Sequence, residues 1–141
     1  MDIEVDADKT IRAFNAMPDA VQVAMRAATT KVGMVATAEM KRQIRGGHKA
    51  GTPTPSLPNT PPTNVTGNLR RQIRPIVRKG FSGYSVMVGS FAVYARQLEL
   101  GGGRWKPGIK YPFVEPTARI MLQGNRAGNI YANALRKALS Q

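Results

Sequence analysis

"IRPIVRKGFSGYSVMVGS", residues 73–90, holds two runs rich in Ile, Val and Tyr on either side of Phe81-Ser82-Gly83. Such side chains suit a pleated, half-buried surface, and the flanking glycines supply the backbone freedom of a tight reversal, so the stretch predicts a β-hairpin. Pro75 has no N–H to give to a ladder, which makes the first strand an edge or starts it after residue 75.

Immediately upstream, "VTGNLRRQI" (residues 65–73) predicts one helical turn over residues 67–72, with Thr66 as its cap. Before it, residues 46–64 contain five prolines, three glycines and four threonines, a composition that cannot bury itself and predicts a long exposed loop. Residues 19–45 read as a long amphipathic helix. Val21, Met25, Ala28, Val32, Val35, Ala36, Met40 and Ile44 advance by threes and fours, with Gln22, Arg26, Thr30, Thr37 and Lys41 on the other face. Gly46 and Gly47 are the expected stop. At the N-terminus "DIEVDAD" alternates with Ile3, Val5 and Ala7 on one side, which predicts a short strand. Asp8 is the expected cap of a helix running to Ala16, Pro18 breaks the chain, and Asp19 is placed to cap the next helix.

Downstream of the hairpin, residues 91–100 predict a short helix with Val93, Tyr94, Gln97 and Leu98 at helical spacing, closed by Gly101 to Gly103. A basic, glycine-rich loop with Arg104 and Lys106 follows. Residues 112–141 are helix-prone, with Ile120, Ile130, Ala134 and Leu135 inward and breaks expected at Gly124 and Gly128. The order predicts an α+β fold: an N-terminal strand and long helix on a small antiparallel sheet, then a C-terminal helix. A length of 141 residues fits one domain.

Formal net charge is +13, from 21 Lys and Arg against 8 Asp and Glu. Asp2, Glu4, Asp6 and Asp8 are half of those acids, so an acidic tip leads into a strongly basic body. Nucleic acid, an acidic protein surface or the acidic tip of a neighbouring copy would each suit it. Cys is absent, which excludes disulfides and thiolate metal sites. No apolar run reaches the ~20 residues needed to span a bilayer, and the acidic start does not read as a secretory signal, so a soluble protein made in the cytoplasm is expected.

Catalysis has little to build on. Outside the tip the acids are Asp19, Glu39, Glu99 and Glu115, far apart in sequence, and His48 is the single histidine. A general acid–base site needs such groups brought together, and zinc needs three or four ligands. The expectation is therefore no enzyme, no metal and no cofactor. Two basic clusters, Lys41, Arg42, Arg45 and Lys49 in one and Arg70, Arg71, Arg74, Arg78 and Lys79 in the other, could hold phosphates. Aromatic residues are not interleaved with them as stacking platforms require, which leaves nonspecific DNA binding as the alternative function.

Three stretches in order, "TGNLRRQI" (residues 66–73), "VMVGSFAVYARQLELG" (residues 86–101) and "YPFVEPTARI" (residues 111–120), resemble the signature segments of a tail-component family of long-tailed bacteriophages. Members are called neck, tail-completion or head–tail joining proteins. The matching positions here are Thr66, Gly67, Leu69, Tyr94, Glu99, Gly101, Pro112, Phe113 and Pro116. Gly102 and Thr117 depart from the usual Thr and Ala. The resemblance implies a structural virion protein at the head–tail junction, forming a ring, six copies in the usual case, between the head connector or stopper and the tail terminator or tail tube, with DNA passing close by. A closed ring needs two different, matching patches on each copy. The candidate interface residues are Asp2, Glu4, Asp6 and Asp8 on the acidic tip and Arg42, Arg45, Arg70, Arg71, Arg74, Arg104 and Lys106 on the basic body. Glu99 joins them as a scarce acid able to pair with an arginine of its own or an adjacent copy.

Overall fold

The computed structural model describes residues 7–46, 57–64, 67–102 and 108–140. The alternating run at Ile3 and Val5 lies outside them. Helix α1 (Ala7–Asn15) starts one residue before Asp8, so Asp8 sits in the first turn and does not cap it. Pro18, with φ −55° and ψ 144°, is the N-cap of α2 (Asp19–Gln43). Its carbonyl accepts the N–H groups of Val21 at 2.9 Å and Gln22 at 3.2 Å. Asp19 is thus the first helical residue, and its side chain makes no capping bond. Proline fixes the approach and a carboxylate follows at the positive end of the helix dipole.

At 25 residues α2 runs roughly 37 Å and organises everything else. Val21, Ala28, Val32, Ala36 and Met40 are buried as the spacing predicted. The helix ends at Gln43, before the glycines. Ile44 leaves it extended, at φ −79° and ψ 90°, and is 1% exposed. Burial of that side chain, worth about 1.5–3 kcal/mol, stops the helix where a left-handed glycine was expected to. Arg45 and Gly46 form a two-residue strand β1 (Arg45–Gly46) paired in parallel with β2 (Thr63–Asn64). Residues 47–56 of the proline-threonine loop lie outside the described residues. Its second half is tied to the body: the Asn59 N–H donates to the Lys110 carbonyl at 2.8 Å, and Pro62 is buried.

A single turn, α3 (Asn68–Arg71), leads into the hairpin β3 (Ile73–Gly80) and β4 (Gly83–Ser90). Gly67 caps that turn at φ 75°, a left-handed conformation that favours glycine. Thr66, its expected cap, lies outside the described residues. Gly80 pairs with Gly83 across the Phe81-Ser82 loop, and Ile73 pairs with Ser90 at the other end. Paired residues in an antiparallel ladder alternate between hydrogen-bonded and open. Counting from the rung that closes the loop places Pro75, opposite Val88, at an open rung where its missing N–H costs nothing. The next bonded rung beyond the sheet, Phe91 N–H to the Gln72 carbonyl at 3.1 Å, keeps the same parity.

The inner face of the hairpin lies against α2. A Cβ on Gly33 would meet Val86 Cγ2 at 2.7 Å and Pro75 Cβ at 3.0 Å, so glycine sets how near helix and sheet approach. The short helix expected from Phe91 is α4 (Ala95–Leu100). Of the residues at helical spacing, Val93 is 97% exposed and Gln97 exposed, Tyr94 and Leu98 are half-buried, and Ala92 and Ala95 are the buried ones. After α5 (Val114–Leu122) the chain turns through Gly124, at φ 63°, into α6 (Arg126–Leu139). Gly128 does not break α6; it lies inside it, where a Cβ would collide with the Asn125 side chain. Tyr131 on α6 meets Thr29 on α2, hydroxyl to hydroxyl at 2.8 Å. The fold is α+β, with one buried cluster around Ile44, Leu69, Ile73 and Phe113 and another around Val32, Ala36 and Met121.

Candidate assembly interface

The three sequence stretches meet in one junction. Helix α5 begins with amides that have no partner inside the helix. The Glu99 carboxylate accepts them: Phe113 N–H at 2.7 Å and Val114 N–H at 2.9 Å on Oε2, and Glu115 N–H at 2.8 Å on Oε1. The next residue is Pro116, which has no N–H, so one carboxylate and one proline leave no unmet donor at this helix start. Among the described residues Glu99 meets backbone amides and no arginine of its own chain.

Supporting contacts fix the geometry. Tyr111 N–H donates to the Leu98 carbonyl at 2.6 Å and Gly101 N–H to the Gln97 carbonyl at 2.8 Å. Gly101 stands at φ 76°, and a Cβ there would lie 2.7 Å from the Ile109 carbonyl oxygen. Thr117, the departure from alanine, donates its hydroxyl to the Phe113 carbonyl at 2.7 Å while fully inside. On the other side, Ser90 Oγ donates to the Leu69 carbonyl at 3.2 Å, and Asn68 Nδ2 donates to the Tyr94 hydroxyl at 3.2 Å. Leu69, Phe113 and Pro112 are buried, and Tyr94 and Pro116 half-buried. Within the chain these positions act as scaffold, holding the start of α5 against α4 and the hairpin base.

The interface charges are distributed otherwise. Arg70 is half-buried, Arg71 is exposed, and Arg74 stacks on the exposed Phe91 ring, 4.2 Å from its centre. This trio lies together at the base of the hairpin. Arg42 belongs to a separate group on α2: it donates to Glu39 through Nη2 at 2.7 Å and Nε at 3.1 Å, with Gln43 Nε2 adding a third donor at 2.7 Å. These donors, Arg42 first, hold the Glu39 carboxyl below its ordinary range against the opposing effect of burial, with the Gln43 amide and the Arg126 charge adding to the same side. Asp8 is exposed on α1. Asp2, Glu4, Asp6, Arg104, Lys106 and the Arg45 side chain lie outside the described residues, as does His48. Of the remaining acids, Glu115 pairs with Arg119 at 2.9 Å and Lys110 at 3.7 Å, remote in role from Glu39. The described residues contain no group of three or more His, Asp or Glu that could hold a metal.

Two surfaces were not singled out from the sequence. The outer face of the hairpin carries the Ile76–Met87 pair beside Arg74, Arg78 and Phe91, with Met87 58% exposed. On the other side, a groove of about 410 Å³ lies between α2 and β3, lined by Arg26, Thr30, Val77, Lys79 and Tyr84. It shares Lys79 with a hollow of about 320 Å³ at the hairpin tip, bounded by Asn15, Gly80 and Phe81. Strand alternation was the signal for the first. The second arises only when two residues of α2 and residues of the hairpin, far apart in sequence, are brought side by side.

A family model described as "Bacteriophage HK97-gp10, putative tail-component" matches residues 8–101, two thirds of the chain. The matched span takes in the first two of the three stretches and ends at Gly101; the third enters through the bonds from Glu99. No curated protein and no solved structure matches the chain.

Proposed function

The chain belongs to the HK97-gp10-like family of bacteriophage tail components, and on that premise we propose that it is a structural protein of the head–tail junction, closing as a ring of copies between head connector and tail. The observation that carries this reading is how the acids are used. Glu99 and Glu39, the two with the most donors, are consumed in holding helices, while Arg26, Arg71, Arg74, Arg78 and Lys79 stand exposed or line open grooves. A surface left so one-sided gains most by meeting acidic protein surfaces, and an acidic tip on each copy gives such a surface within the assembly. No helix among the described residues is long and apolar enough to cross a membrane.

The ring reading predicts that virions made without this protein yield filled heads and free tails, and that adding the purified protein restores joined particles. Joined, infectious particles formed in its absence would remove the proposal. A salt titration with duplex DNA separates the nonspecific DNA-binding alternative: affinity that falls steeply with salt favours it, and absence of binding at low salt ends it.

A further inference from the structure

We propose that the groove between α2 and β3 is the receptor for residues 1–6 of a second copy, which enter it as an added strand on the outer edge of β3. The inference rests on the ring reading above and says how adjacent copies hold each other.

Three observations converge. First, the ladder parity that leaves Pro75 open also turns the backbone N–H and C=O groups of Val77 and Lys79 away from β4. Among the described residues β3 has β4 as its one neighbour, so that edge is a template for another strand. Second, the two faces beside this edge differ: the groove face offers Val77 and the Tyr84 ring, and the outer face carries the exposed Arg74 and Arg78. Neither of these arginines meets a carboxylate among the described residues. A ligand suited to it is extended, alternates apolar with anionic side chains and carries several negative charges. Third, "MDIEVD" is such a segment, with Ile3 and Val5 alternating with Asp2, Glu4 and Asp6. Side chains of period two put the apolar pair on one face and the acids on the other.

A second copy is favoured over the segment's own body by the path of α1. Asn15, at the C-terminal end of α1, borders the hollow that continues the groove. Ala7, eight residues earlier, is about 12 Å away along the helix. To fold back, the chain would have to reverse just before α1, which is already helical at Ala7. Donation to a neighbour needs no reversal. It also makes the contact heterologous, tip on groove, the type that generates rings.

The chain has no native cysteine, which makes disulfide trapping clean. Full-length protein carrying Val5→Cys is mixed with full-length, size-tagged protein carrying Lys79→Cys, under conditions where particles join, and oxidised. A covalent heterodimer of the two sizes is expected. In a chain bearing both substitutions, exclusive closure within one molecule would overturn the assignment to a second copy, and no disulfide in either experiment would overturn the groove. Charge reversal at Arg74→Glu with Arg78→Glu on the Lys79→Cys acceptor should lower the heterodimer yield about tenfold, and Asp2→Lys with Glu4→Lys on the donor should restore it. Circular dichroism of each variant confirms folding. If reversed variants still join heads to tails while protein-free particles do not, the groove assignment fails and the junction role stands.

Discussion

The junction around Glu99 and the groove around Lys79 are both places where a sheet or helix end leaves polar groups exposed to view, and they are handled in opposite ways. At the junction every free amide of α5 is met by Glu99 or removed by Pro116. At the groove, two cations and a strand edge have no counterpart among the described residues. The difference teaches that the residues most distinctive in the sequence build the body, while the surface proposed for contact is written in ordinary Lys, Arg and Val.

Breaking the closed region should cost most. Phe113→Ala removes the buried anchor of the junction, 1% exposed, and should destabilise the fold by about 3–5 kcal/mol in denaturant unfolding. Glu99→Gln keeps the volume but turns an N–H2 group toward amides that need an acceptor. A loss of about 2–3 kcal/mol is expected, and a change below about 0.5 kcal/mol would mean the three bonds contribute little. Gly101→Ala places a Cβ against the Ile109 carbonyl and forces a positive φ on alanine, for a loss of about 1–3 kcal/mol by thermal unfolding.

The Glu39 group sharpens the comparison through pH. Its folded pKa is depressed, so its contribution is full above the ordinary carboxylate range and is lost as pH falls through the folded value. Removing the guanidinium with Arg42→Ala should raise the folded value and move the acid unfolding midpoint upward. An unchanged acid midpoint would show that Gln43 alone suffices. Least of all, Arg71→Ala on the open side should alter stability by less than about 0.5 kcal/mol, while any effect on particle joining would mark it as a contact.

Much of the fold was legible because it rests on period. The hairpin followed from residues 73–90, and the inward face of α2 from threes and fours. The misses have local causes. Helix α2 was given two residues too many because Gly46 and Gly47 look like a stop, whereas burial of Ile44 wins first. The helix expected from Phe91 starts only at Ala95, so Val93 precedes it. Gly128 looked like a breaker, yet a glycine is what lets Asn125 fold over the start of α6. Glu99 was recognised as exceptional for its scarcity, but its partners are backbone amides 14 to 16 residues away, which no side-chain pattern announces. The groove was invisible for the same reason: nothing local joins Arg26 to Lys79.

Amide hydrogen exchange at Phe113, Val114 and Glu115, compared between the native chain and Glu99→Gln, tests most directly the claim that the signature residues are scaffold. Slow exchange at all three in the native chain, rising at least about tenfold in the variant while the hairpin amides stay protected, is the expected result. Equal exchange in the two proteins would contradict the claim, leaving Glu99 available as a contact residue.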